Sequence, residues 1–111
     1  MQGIRFCKEV FWGFYKDLNH RAQKKLEWTL GLVRDLPVIP SKYFKSIKGV
    51  NGLYEIRVKA DNKALRIFCC LEKNNQIVLF NGFVKKSNKT PKREIHKAMN
   101  LRMEYYNEKE D

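Results

Sequence analysis

The chain is poor in the residues that hold metals, close disulfides or cradle nucleotides. Its three cysteines, Cys7, Cys69 and Cys70, are odd in number and show no C-x-x-C spacing, and neighbours on a strand point to opposite faces. They read as reduced, packed thiols. The two histidines, His20 and His96, lie far apart with no metal-ligand spacing, so neither a metal nor a cofactor is expected. There is no Walker-type or dinucleotide-binding glycine pattern, no G-x-S-x-G, and no acidic pair with a plausible shared site, which removes support for hydrolysis by metal or serine triad. No apolar run approaches the ~20 residues of a membrane span and no secretory h-region opens the chain. A cytoplasmic protein without a membrane partner is the expectation.

Acidic residues are scarce as well: 12 against 23 basic ones leave a net charge of +11. The excess is concentrated, since residues 42–97 carry 14 basic and 4 acidic side chains. Such a concentration favours a polyanionic partner, nucleic acid first. With 43% hydrophobic residues the chain is no disordered polycation, and 111 residues suit one domain, here 1–111, around one core.

Residues 2–6 (QGIRF) alternate as an opening strand whose partner must come from later in the chain. In residues 8–18, Val10, Phe11, Phe14, Tyr15 and Leu18 form the stripe of an amphipathic helix. Asn19 is placed to cap a second helix, with Ala22, Leu26, Leu30 and Val33 on one side and Pro37 beyond its end. Residues 38–50 read as a connector with one helical turn around Tyr43 and Phe44. Thr90 as N-cap and Pro91 as first residue start a third helix, whose acidic end, EYYNEKED, is expected to fray.

Between them, residues 52–91 carry three strands. Tyr54, Ile56 and Val58 alternate with Glu55, Arg57 and Lys59, the period of a strand with one core face and one charged face. If Asp61 and Asn62 form a two-residue turn, opposed residues sum to 123, so Ile56 meets Ile67, Val58 meets Leu65, and Arg57 meets Arg66. A second turn at Asn74 and Asn75 gives a sum of 149, with Phe83 beside Arg66, Gly82 beside Ile67 and Asn81 beside Phe68. Phe68, Cys70 and Leu79 then share the arginine face, as an apolar shelf that the third helix or a partner must cover. The fold class is α+β: an N-terminal strand, two helices, a three-stranded antiparallel meander and a C-terminal helix.

Like charges facing each other on a sheet cost up to ~1 kcal/mol, which an anion between them reverses. The pair points to a phosphate. The alternative is that Glu55, on the same face, neutralises Arg57 in a surface ion pair of little consequence. The chemistry open to such a site is metal-free RNA cleavage, in which the 2′-hydroxyl attacks the adjacent phosphate; it needs a proton acceptor, charge stabilisation and a proton donor. Arg57, Arg66, Lys85 and His96 are the catalytic candidates, and Lys59, Phe83, Lys86 and Lys89 the RNA-binding ones. Phe83 is a candidate for stacking on a base; Tyr54 lies on the core side.

At these residues the chain resembles the RelE/ParE superfamily of bacterial type II toxins, and more closely its HigB branch, the phage-derived Gp49-like family. The resemblance lies in GLYEIRV (52–58), LRIF (65–68), IVLFNGFVKKSNKTP (77–91) and EIHKA (94–98). It implies a RelE-like fold and a ribosome-dependent mRNA endoribonuclease that inhibits translation and is neutralised by a helix-turn-helix, HigA-like antitoxin. The partners implied are that antitoxin, the ribosome and mRNA. By position, Arg57 and Arg66 match the strand residues that hold the scissile phosphate, and Lys85 and Lys86 the basic segment that follows. Glu55 stands where the RelE pattern has lysines, and its C-terminal tyrosine has no firm counterpart; Tyr105 and Tyr106 are weaker candidates than His96. Two other functions stay open: a ParE-like inhibitor of gyrase, and a non-catalytic nucleic-acid-binding protein.

Overall fold

Alternation, caps and turns combine into three helices and one five-stranded sheet. The computed structural model describes residues 4–6, 8–73 and 76–110. Strand β1 (Ile4–Phe6) finds its partner at the far end of the sequence, running parallel to β5 (Gln76–Lys85). Helix α1 (Lys8–Lys16) and helix α2 (His20–Asp35) follow. Asn19 caps α2 through Oδ1, which accepts the Ala22 N–H at 2.8 Å, and its Nδ2 donates to Asp61 at 3.0 Å. One side chain thus starts a helix and ties it to a hairpin tip. The buried stripe of α2 is Ala22, Leu26, Thr29 and Val33; Leu30 is only half-buried. Thr29 is tolerated inside because its hydroxyl donates to the Lys25 carbonyl at 2.8 Å.

The sheet order is β1-β5-β4-β3-β2, where β2 is Phe44–Ser46, β3 Tyr54–Ala60 and β4 Lys63–Glu72. The connector therefore differs from its expected form. Residues 41–43 make a turn, and Phe44 enters an antiparallel edge strand opposite Ile56 in place of a helical turn. Pairing with a ready strand edge outweighs the weak helical preference of FKS. The meander becomes the core of four antiparallel strands.

The hairpin register holds as derived: Arg57 faces Arg66, Ile56 faces Ile67 and Val58 faces Leu65. Asp61 and Asn62 take φ of 50° and 64°, the left-handed conformations a two-residue hairpin needs. Between β4 and β5 the sum of 149 holds from Ala64 to Ile67 and then breaks. Cys69 pairs with Leu79, so Phe80 and Asn81 together oppose Phe68, a two-against-one bulge. The bulge corrects two expectations: Asn81 is not the sole partner of Phe68, and Leu79 lies on the α1 and α2 face. Val78 and Phe80 replace it on the arginine face. The expected turn residues Asn74 and Asn75 lie outside the described residues, as do Gln2, Gly3 and Cys7.

Both faces of the central strands are covered. On one side α1 and α2 pack over Leu26, Val33, Ile56, Ile67 and Leu79. There Phe14 lies so close to Gly82 that an added Cβ would sit 2.4 Å from its ring, which explains the lone glycine of β5. On the other side α3 (Lys92–Glu110) lays Ile95, Ala98, Leu101 and Tyr105 over Phe68, Cys70, Val78 and Phe80. The apolar shelf is filled by the chain's own helix. Helix α3 begins one residue later than expected, with the Pro91 carbonyl accepting from Glu94 and Ile95, and stays helical to Glu110 where fraying was expected.

Candidate nucleic-acid interface

Helix α3 covers only part of its face. Its first turn stops at Asn81, whose Nδ2 donates to the carbonyl and Oε1 of Glu94, both at 3.1 Å. From there to the Asp61 hairpin the face belongs to Arg57, Lys59, Ala64, Arg66 and Lys85, set side by side by the register.

Beneath the arginines lies Glu55, only 2% exposed. Arg57 Nε donates to its Oε1 at 2.8 Å, and Arg66 Nε stands 3.6 Å from the same oxygen. The ion pair with Arg57 thus exists, but it is buried and shared by both arginines. With Arg57 and Arg66 retaining 29% and 15% side-chain exposure, the three groups carry one net positive charge at the floor of an open surface. Glu55 Oε2, Arg66 Nε and Asn81 Oδ1 are buried without a hydrogen-bond partner, all on this face. Arg66 Nη1 is held by the Leu65 carbonyl at 3.0 Å. Burial lowers the Arg66 pKa from its ordinary value and Arg57 adds to this, while Glu55 opposes both.

Two depressions meet at Arg66 and Ala64. The larger, about 450 Å³, is lined by Lys25 and Thr29 of α2, Lys42 and Tyr43 of the connector, and Arg57, Lys59, Ala64 and Arg66 of the sheet. The smaller, about 340 Å³, adds Lys85, Lys86, Ser87 and Asn88. Together they form a trough with seven cationic side chains and no acidic one along its lining. Such a surface suits a phosphate chain more than a single small anion.

Of the candidates, Arg57, Arg66, Lys59, Lys85 and Lys86 share this trough. Phe83 stands beside Arg66 but its ring is buried against Phe68 at 5.4 Å, as part of the core under α3. Lys89 is exposed on the loop after β5 and lines neither depression; its carbonyl accepts from Ser87 Oγ at 3.1 Å. His96 is exposed on α3, two residues beyond Glu94, and also lines neither. Tyr105 and Tyr106 lie at the opposite end of the sheet, where Tyr105 donates to Glu72 at 3.0 Å and Tyr106 meets Cys70 Sγ at 3.7 Å. Among the described residues, no group of three His, Cys, Asp or Glu side chains converges in a way that would hold a metal ion, and no helix is long and apolar enough to cross a membrane.

Sequence reasoning missed Lys25, Lys42 and Tyr43 as trough residues. They come from α2 and the connector, reaching the sheet where β2 ends and leaves the edge of β3 bare; the Tyr43 carbonyl accepts the Arg57 N–H there at 2.8 Å. The lysine-rich connector was the available signal. The family model described as phage derived protein Gp49-like (DUF891) matches residues 14–103, a span that contains every residue of the trough. No curated protein gives a significant match to the chain.

Proposed function

The chain belongs to the Gp49-like family, the RelE/HigB type of toxin, and on that premise we propose that it is the toxin of a type II toxin–antitoxin pair that cuts mRNA on the ribosome. The observation that carries this reading is the facing pair Arg57 and Arg66 in an open cationic trough. The two Nη atoms of Arg57 make no hydrogen bond among the described residues, while Glu55 fixes its Nε. The guanidinium is held in place with its outer edge free for a phosphate.

In the proposed reaction the 2′-hydroxyl attacks the adjacent phosphorus, the 5′-oxygen leaves, and the products are a 2′,3′-cyclic phosphate and a 5′-hydroxyl. Arg57 and Arg66 stabilise the extra charge of the phosphorane, and Lys85 and Lys86 hold the flanking phosphates. His96, near the end of α3 that abuts Asn81, is the proposed proton-transfer group. The proposed fold is RelE-like, and a helix-turn-helix antitoxin is the proposed partner, neutralising the toxin by covering the trough. Co-purification with the product of the neighbouring gene tests that pairing.

Purified protein added to a translating extract is expected to cut mRNA, with the new 5′ ends mapped by primer extension. Uncut mRNA alongside growth arrest on expression would overturn the nuclease reading. Inhibition of gyrase supercoiling without ribosomes would replace it with the ParE-like one.

A further inference from the structure

We propose that Trp28 and Tyr43, flanked by Lys25 and Lys42, form a stacking subsite for an unpaired nucleobase of single-stranded RNA, an inference that rests on the trough being a phosphate site. Trp28 is 49% exposed on α2, and its ring meets that of Tyr43 edge-on, with centroids 5.8 Å apart. Tyr43 lines the larger depression, and its carbonyl is bonded to the Arg57 N–H. The aromatic pair is therefore fixed relative to the arginine that would hold the phosphate.

Each ring carries a cation: Lys25 Nζ lies 4.4 Å from the Trp28 ring centroid, and Lys42 Nζ lies 5.3 Å from that of Tyr43. A solvent-exposed ammonium over a ring is held more weakly than a stacked base. A base can displace the ammonium, which then meets the phosphate of the same strand. Because every base has a π-face, the subsite would accept any of the four with modest preference.

The other exposed tryptophan provides the contrast. Trp12, 54% exposed, stacks on Tyr15 at 5.5 Å, and the Tyr15 hydroxyl donates to Glu27. That ring lines neither half of the trough and has a carboxylate close by, which repels a phosphate chain. Exposure alone does not select Trp28; its cationic setting beside Arg57 does.

The test uses the full chain with Trp12→Phe, leaving Trp28 as the sole tryptophan. It is titrated with a short 2′-O-methyl uridine oligomer, which cannot be cut, and with an abasic sugar–phosphate oligomer of the same length. The uridine oligomer is expected to quench Trp28 emission and to bind more tightly than the abasic one. Starting from the natural chain, with binding read by anisotropy, Trp28→Ala and Tyr43→Ala should each weaken uridine binding about tenfold and leave abasic binding unchanged, while Tyr43→Phe retains affinity. Trp28 is on the outer side of α2, so its variant keeps the test open if Tyr43→Ala fails to fold. Equal affinity for the two oligomers, or uridine binding untouched by Trp28→Ala, would overturn the stacking subsite and leave the phosphate reading standing. Failure of both oligomers to bind would overturn both.

Discussion

One face of the sheet is built in two ways. Under the body of α3, Phe68, Cys70, Val78 and Phe80 are sealed, and the polar groups at that end have partners: Tyr105 bonds Glu72 and Tyr106 meets Cys70. Toward the Asp61 hairpin the same face has no helix over it, and a buried carboxylate sits between two arginines with polar atoms left unpaired. Native structures leave few buried polar atoms unsatisfied, so their clustering at one end marks where stability yields to binding. The closed end holds the fold; the open end carries the charge.

The strongest way to break this comparison is at the arginines. Arg57→Ala or Arg66→Ala is expected to lower mRNA cleavage by about 100-fold or more, the usual loss when a group stabilising transition-state charge is removed. Each should cost little stability, because Glu55 keeps one partner. The double variant strands Glu55 without a cation, so its melting temperature should fall by more than the sum of the single effects. Strict additivity would show that Glu55 is not shared.

Next in size is Glu55→Ala, which leaves two cations facing each other. A loss of about 2 to 3 kcal/mol in chemical denaturation is expected, less than for a fully dry pair because Arg57 keeps 29% exposure. Binding of a polyanion such as heparin should tighten at the same time, since the trough gains a positive charge. Weaker heparin binding would mean that positioning of Arg57 outweighs the charge.

The closed end should answer to base instead. Burial first, then the contact with Cys70, pushes the Tyr106 hydroxyl up from 10.0 to about 12. A raised folded-state pKa means a stabilising contribution that is complete below pH 10 and lost as the pH rises toward 12. Tyr106→Phe should flatten this part of the stability profile and leave mRNA cleavage unchanged.

Smallest is the effect at the hairpin tip. The hydrogen bond from Asn19, with Arg21 assisting, holds the Asp61 carboxyl below its ordinary 3.8. Its contribution is present above that pH and fades as the pH falls through the lower folded value. Asp61→Asn should remove this acid sensitivity in thermal melts, with little change at neutral pH.

The first hairpin was legible in the sequence because two independent patterns agreed: apolar residues matched across it and Asp61-Asn62 fit the turn. Strand β2 was not legible. Three residues with exposed Lys45 and Ser46 carry no alternation, and only the edge of β3 makes them a strand. The bulge was hidden for the opposite reason, since Ile77, Val78, Leu79 and Phe80 are all buried and an unbroken apolar run shows no change of phase. Of the site, the arginine pair and Lys85 followed from register. Burial of Glu55 did not, because a carboxylate between charged neighbours reads as a surface residue until the helix that shelters it is in place. Trp28 and Tyr43 were out of reach because they meet only in three dimensions.

The extra residue in β5 makes that strand tolerant of substitution and intolerant of changes in length. Before it, odd-numbered positions such as Ile77 and Leu79 turn toward α1 and α2; after it, even-numbered ones such as Gly82 and Val84 do. Deleting one residue at the bulge would exchange the two sides of everything that follows. Lys85 would be driven into a hydrophobic layer and Val84 set beside Arg66's neighbours, so core and site would be lost together. Insertions and deletions at residues 80 and 81 are therefore expected to be excluded from functional variants, even where single substitutions at the same positions survive.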